Sequence, residues 1–302
     1  MNALGIRSVL VTGGSAGIGG QLTVSLARAG YDVLFVGRDS DRGRALQNRL
    51  NAGGARTLFL RGDLSSQSGV ARLADEVGEA LEVRGHSGLH GLVNNQGGVY
   101  STKRVTPDGV EATFASNFVH PLLLTCLLLP ELEQAGGRVV QMSTGYHHLV
   151  RLTRADLTFR RWDCGMNVDG RAKLLSVQAG EVVGQRWVTR GVGWHFADPG
   201  MAETPLTRSM GAVDFPWYGR FLVPLVKRVQ RPIPLSWCAS SALRLLTRNL
   251  PAPTGVYVLP GPVILPHFLV GFDRRDGARN LEFSYRWFLP EYRALVENAT
   301  RA

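Results

Sequence analysis

The run Thr12-Gly13-Gly14-Ser15-Ala16-Gly17-Ile18-Gly19 sits between a short β-rich apolar stretch, residues 9–12, and a helical stretch, residues 17–29. Glycines at such a junction permit a tight turn and let backbone N–H groups approach a pyrophosphate closely. The helix N-terminus adds a partial positive charge. The strand before the loop and the helix after it are what a dinucleotide-binding loop requires. The second β-rich stretch ends Val36-Gly37-Arg38-Asp39. An acidic side chain there would accept from a ribose 2′-hydroxyl. Gly37 has none, whereas Arg38 offers a guanidinium to a 2′-phosphate. The expected cofactor is therefore NADP(H), with Arg42 as a second phosphate contact; the alternative for Arg38 is a solvated arginine on a turn.

Asp169 stands four residues before Lys173, one of three lysines in the chain. At i,i+4 on one helix face the two read as an ion pair. Ser143 and Thr144 place two hydroxyls side by side after a β-rich run. Hydrogen bonds from either to a carbonyl oxygen would strengthen as negative charge grows on it; ordinary capping of a strand end is the alternative. Tyr100, Tyr146, His147 and His148 are further proton carriers. Their plainer readings are a pocket wall for Tyr100 and an exposed loop for the histidines.

The elements that must position these groups alternate. Strand patterns fall at 9–12, 33–36, 57–60, 91–94, 139–142, 193–197 and 255–258, and helical patterns at 17–29, 66–83, 106–133, 168–186 and 235–247. Short β-rich runs alternating with longer helices imply an α/β fold: a doubly wound, Rossmann-type parallel sheet with its ligand crevice at the strands' C-terminal ends. No linker, repeat or charge block divides residues 1–302, so a single domain is expected.

The chain has 302 residues, 44% of them apolar, enough for one large core. Residues 121–130, the longest apolar stretch, are too short to span a bilayer. A strand pattern almost at the N-terminus leaves no room for a signal peptide, and three widely spaced cysteines suit reduced thiols, so a cytoplasmic location is expected. The net charge of +10 is scattered, with no basic stripe or interleaved aromatics, which argues against nucleic acid. The histidines and cysteines show no metal-binding spacing.

In these motifs the chain resembles the short-chain dehydrogenase/reductase superfamily, most closely its retinol-dehydrogenase-like branch. The resemblance runs from about residue 9 to 204, more loosely to 258. The loop matches the TGxxxGIG signature, in which Gly13, Ser15, Gly17, Ile18 and Gly19 would hold the cofactor. Asp63-Leu64 matches the pair that contacts the adenine. Asn94-Asn95-Gln96-Gly97 matches NNAG, with Gln96 in place of alanine; Asn95 and Gly97 are its cofactor positions. Asn117 falls at the active-site asparagine, in a helix with a backbone bulge. Ser143-Thr144 falls where the family has its catalytic serine. Asp198-Pro199-Gly200 and Thr204 match the segment over the nicotinamide, where Pro199, Gly200 and Thr204 would make contact. Lys173 matches the lysine of YxxxK, which holds the ribose. The tyrosine of that motif is absent: Asp169 occupies its place.

In the family, the tyrosine gives a proton to the developing alkoxide while hydride moves from the nicotinamide. A carboxylate at 169 is shorter and, at an ordinary pKa, ionised, so pairing with Lys173 is favoured over proton donation. Tyr100, Tyr146, His147, His148 or a phenol on the substrate would then supply the proton. Residues 205–234, with Phe215-Pro216-Trp217-Tyr218 and an apolar run after it, are expected to form a substrate lid suited to a bulky, apolar ligand. A homo-oligomer contact ranks second for this stretch and a membrane surface third. The extension 261–302 is read as helical, packed on the body and closing one side of the pocket. The leading expectation is an NADPH-dependent ketoreductase acting on a bulky aromatic or polycyclic, polyketide-type ketone. A non-redox dehydratase, isomerase or cyclase, or a catalytically silent NADPH-binding protein, are the rivals.

Overall fold

The computed structural model describes residues 5–150, 152, 164–200, 211–216, 233–261, 264–265 and 274–301. The strands are β1 (Ser8–Val11), β2 (Asp32–Gly37), β3 (Arg56–Arg61), β4 (Gly91–Asn94), β5 (Arg138–Met142), β6 (Gly193–Ala197), β7 (Tyr257–Val258) and β8 (Ile264–Leu265). They form one sheet in the order β3-β2-β1-β4-β5-β6-β7-β8. Every pair from β3 to β7 is parallel, and β8 adds an antiparallel edge. The doubly wound order reverses between β1 and β4, which opens the crevice at their C-terminal ends.

The helices are α1 (Gly17–Arg28), α2 (Ser40–Ala52), α3 (Gln67–Val83), α4 (Ala112–Leu127), α5 (Leu129–Ala135), α6 (Gly165–Trp187), α7 (Leu235–Thr247), α8 (Arg274–Ser284) and α9 (Pro290–Arg301). Alternate strand residues feed two cores, as a sheet covered on both faces requires. Leu10, Leu34 and Val36 pack with α3, α4 and α6; Val9, Val11, Val33 and Phe35 pack with α1 and α7. The buried Asp32 is paired with Arg84 at 2.6 Å and Arg56 at 3.1 Å, so its charge is not left alone.

Two element expectations change. Helix α2 carries too few apolar residues to show a periodicity: only Gly43 and Leu46 are buried. Asp39 starts it by accepting the Arg42 N–H at 3.0 Å. The helix expected over 106–133 starts instead at Ala112, after a turn in which Thr106 N–H meets the Val110 carbonyl, and breaks at Leu128 before Pro130. Within α4, Ala115–Val119 form a π-turn. Pro121 has no N–H for the Asn117 carbonyl one turn back, and the Ser176 hydroxyl donates to that carbonyl at 2.7 Å instead. The bulge and its proline thus bind α4 to α6.

No single described helix is long and apolar enough to cross a membrane. The pair α4 and α5, bent by 59°, passes on length and composition only, and most of its residues are buried.

Candidate active site

The glycine loop is tied to the end of β4. Thr12 Oγ1 accepts the N–H groups of Asn95 and Gln96, both at 3.0 Å, and Asn95 Nδ2 donates to the Thr12 carbonyl at 2.8 Å. Gly13 and Gly17 have φ of +64° and +55°, the left-handed region that favours glycine. A Cβ on Gly19 would lie 2.3 Å from the Gly13 carbonyl oxygen. Ala16 precedes α1 without a side-chain cap, so the first helical N–H groups keep their capacity for an anion. Ile18 packs on the apolar layer beneath. A side chain at Gly37 would meet Ser15 Oγ at 2.4 Å, and Arg38 beside it is exposed. Arg42 is exposed, and its guanidinium lies 3.2 Å from Asp39, the residue that caps its helix.

Asp63 is exposed after β3 and accepts the Ser65 N–H at 3.1 Å, and Leu64 is buried. Gly97 leads into the reaction end: a Cβ on it would stand 2.3 Å from Asn117 Oδ1 and 3.7 Å from Lys173 Nζ. Pro199 and Gly200 follow β6, and the Gly200 N–H donates to Asp198 Oδ1 at 2.7 Å. Thr204 lies outside the described residues. An uncapped helix start, a cradle only glycine can line and an exposed arginine at the end of β2 together fit a dinucleotide phosphate.

Asn117, in the π-turn, is buried and donates from Nδ2 to the Gly98 carbonyl at 2.7 Å and the Thr113 carbonyl at 2.9 Å. Lys173 Nζ donates to the Met142 carbonyl at 2.8 Å. Among the described residues no ion pair within 4.0 Å joins it to Asp169, so the expected pair is not made. The two share a helix face and a field, but the carbonyl at the end of β5 takes the ammonium. Burial pushes the Asp169 carboxyl up to about 6, with Lys173 pulling the other way. The residue is therefore a titrating acid near neutrality, not the fully ionised carboxylate its type suggests. Burial lowers the Lys173 ammonium, against the fields of Asp169 and Asp198.

Ser143 Oγ lies 3.2 Å from His147 Nδ1. Burial, then His148 and Lys173, lowers His147 to about 4, so its ring is neutral. Thr144 accepts the Tyr146 N–H at 3.3 Å, the capping role, and its own hydroxyl proton is not spent by that bond. Tyr257, from β7, donates to Asp198 Oδ2 at 3.2 Å. Burial and the Asp198 charge raise that phenol, and the Ser143 hydroxyl works against the rise. Tyr146 bonds Asn167 Oδ1 at 2.9 Å and lies over Gly170, where a Cβ would meet its ring at 2.9 Å. Tyr100 folds over Gly98 with Arg104 5.0 Å from its ring. His148 is exposed, 4.0 Å ring to ring from His147.

One group therefore gathers Gly97, Asn117 and Lys173, and a second gathers Ser143, His147, Asp198 and Tyr257. Nothing near Tyr257 in the sequence marks it; the strand order β5-β6-β7 brings it to Ser143. Of the expected lid, only 211–216 and 233–234 are described. The extension is helical, as α8 and α9, and packs on the body along α6 and α4. Gln67 fastens it by donating to the Trp287 carbonyl and accepting the Leu289 N–H, both at 2.9 Å.

Residues 7–150 match the short chain dehydrogenase family. Mouse polyprenol dehydrogenase is 34% identical over 218 residues, 68% of this chain and 63% of its own, so the match spans less than two thirds of that relative. A putative daunorubicin C-13 ketoreductase, DnrU, from Streptomyces sp. (strain C5) is 30% identical over 246 residues, 80% of each chain. Mouse retinol dehydrogenase 12 is 28% identical over 224 residues, 73% of this chain and 69% of its own. The solved RhlG/NADP complex of Pseudomonas aeruginosa superposes with a TM-score of 0.65 at 22% identity, over 85% of this chain and 95% of that one, a likeness of fold.

Proposed function

Because the chain belongs to the short-chain dehydrogenase/reductase superfamily, in its retinol-dehydrogenase-like branch, we propose that it is an NADPH-dependent ketoreductase. Its substrate is a bulky aromatic or polycyclic, polyketide-type ketone, and the alkoxide's proton comes from a group other than the usual tyrosine. The observation that carries this reading is the meeting of Asn117 and Lys173 at Gly97, with Lys173 bonded to the end of β5, which the Ser143–Thr144 hydroxyls follow, and a buried Asp169 where a phenol would stand.

The nicotinamide, when bound, supplies the hydride. Support for the phosphorylated cofactor comes from the end of β2. An acidic residue at Gly37 has no room beside Ser15, and Arg38 is exposed for a 2′-phosphate. The Thr144 hydroxyl donates to the substrate carbonyl oxygen, and Ser143, held near His147, supports it. Lys173 contributes a positive charge beside the site and anchors α6 to β5. Tyr146 is committed to Asn167, which favours Tyr100 or a phenol on the substrate as the proton source. The substrate class follows the aromatic stretch at 215–218 and the ketoreductase among the relatives.

A second reading rests on Asp169. A buried carboxyl that titrates near 6 suits proton shuttling, which favours a non-redox dehydratase, isomerase or cyclase. Incubation with NADPH and a panel of aryl ketones, with and without an ortho phenol, separates the two. Stoichiometric loss of NADPH with alcohol formation supports reduction; product at constant NADPH supports the non-redox reading.

A further inference from the structure

A parallel sheet gathers the starts of its strands at one end and their C-terminal ends, with the cofactor loop, at the other. The register pairs Arg56 with Asp32 and Asp32 with Ser8 at the starts of β3, β2 and β1. Arg7 and His90 directly precede β1 and β4. A cleft of about 300 Å³ opens at this end, with Arg7, Arg56, Arg84, His86, Ser87 and His90 in its walls. Among the described residues no acidic side chain lines it.

The fully buried Asp32 fixes three of these side chains: Arg84 at 2.6 Å, His86 at 2.9 Å and Arg56 at 3.1 Å. Arg56 and Arg84 each reach it through Nε and Nη2, and Nη1 of each remains available. Arg138, which starts β5, donates to the Leu245 and Arg248 carbonyls, both at 2.9 Å, the ordinary service of a cation to a helix C-terminus. Arg7 is exposed and has no such acceptor among the described residues. His90 Nδ1 accepts the Ser8 N–H at 3.2 Å, which places the ring hydrogen on Nε2. Burial, then Arg7 and His86, lowers that ring below its ordinary value, so it is neutral and a donor at Nε2.

Three guanidiniums against one carboxylate leave two positive charges at a cleft that also offers a ring N–H and the Ser87 hydroxyl. A phosphate monoester carries a charge of about −1.5 to −2 near neutral pH and accepts through three oxygens, in a geometry that guanidinium forks match. A carboxylate would balance only one of the two charges. We propose that this cleft is a second anion site, at the opposite end of the sheet from the cofactor, which takes a terminal phosphate group. Arg7 and His90 donate to it, and Asp32 holds Arg56 and Arg84 in place beside it. A soluble phosphate ester and the headgroup of phosphatidic acid present this same chemistry.

The test titrates inorganic phosphate into the full chain by calorimetry, at constant ionic strength and with NADPH present to fill the glycine loop. Binding is expected to weaken roughly tenfold in Arg7→Gln, the worth of a charged hydrogen bond, and less in Arg7→Lys, which keeps the charge without the fork. Arg72→Gln, which removes another exposed charge, on α3, leaves binding unchanged. Sedimentation with phosphatidylcholine vesicles that contain phosphatidic acid, lost in Arg7→Gln, assigns the site to a lipid headgroup; phosphate binding without sedimentation assigns it to a soluble ester. Phosphate held at the glycine loop instead would be displaced by NADPH and indifferent to Arg7. No phosphate binding in the presence of NADPH, or binding that Arg7→Gln leaves intact or weakens no more than Arg72→Gln does, overturns the proposal.

Discussion

Lys173 and Asp169 lie one turn apart on α6, yet the lysine ammonium donates to the Met142 carbonyl at 2.8 Å, across to β5. The aspartate is left buried, with only the field of that lysine to favour its charge. This arrangement sets the pH behaviour of the site. A carboxyl whose pKa is raised on folding, from 3.8 to about 6, stabilises the fold most below about pH 4. That contribution is lost as pH rises through about 6, and the loss is on the order of 3 kcal/mol. Asp169→Asn should therefore flatten the stability profile between pH 4 and 6 in chemical denaturation; an unchanged slope would show that Asp169 does not titrate there.

Arg38→Ala should weaken NADPH binding by roughly ten- to a hundredfold and leave NADH nearly unaffected, since a charged hydrogen bond to a 2′-phosphate is worth about 1.5–3 kcal/mol. Calorimetry with both cofactors checks this.

Gly19→Ala should be far more damaging than its size suggests. The new methyl would meet the Gly13 carbonyl oxygen at 2.3 Å and Asn95 Nδ2 at 2.4 Å, so both the loop and its tie to β4 must move. Overpacking of this kind costs about 1–3 kcal/mol. Lower Tm together with weaker NADPH binding is the expected outcome.

Thr144→Ala should lower kcat by about a hundredfold with KM little changed, if its hydroxyl steadies the carbonyl oxygen as charge develops. Thr144→Ser should recover most of the rate. A fall confined to stability would mean that Thr144 only caps the turn after β5.

Gln67→Ala should loosen the C-terminal helices without touching the site. The side chain is fully buried and satisfies both the Trp287 carbonyl and the Leu289 N–H. Leaving buried backbone groups unpaired costs about 1–3 kcal/mol each. Faster proteolysis between α8 and α9 is the expected readout.

The fold was legible because its strands are short apolar runs buried on both faces: 91–94 and 193–197 match β4 and β6 residue for residue. Helix α2 was not, because only Gly43 and Leu46 of it are buried, too few to show a helical period. The cofactor loop was readable because glycine spacing reports backbone geometry directly. The reaction end was less so. Which acceptor Lys173 chooses depends on where β5 ends relative to α6, and that is a property of packing. Tyr257 carries no local signal at all: it is singled out by the strand that places it beside Asp198.

The central claim is hydride transfer without a tyrosine at position 169. Its most direct test uses NADPH deuterated at C4, prepared separately on each face, with aryl ketones that do or do not carry a neighbouring phenol. The account predicts deuterium at the carbinol carbon from one face only, with the Asp169→Asn variant still transferring it. Product free of deuterium from either face, while NADPH remains bound and unoxidised, would contradict it.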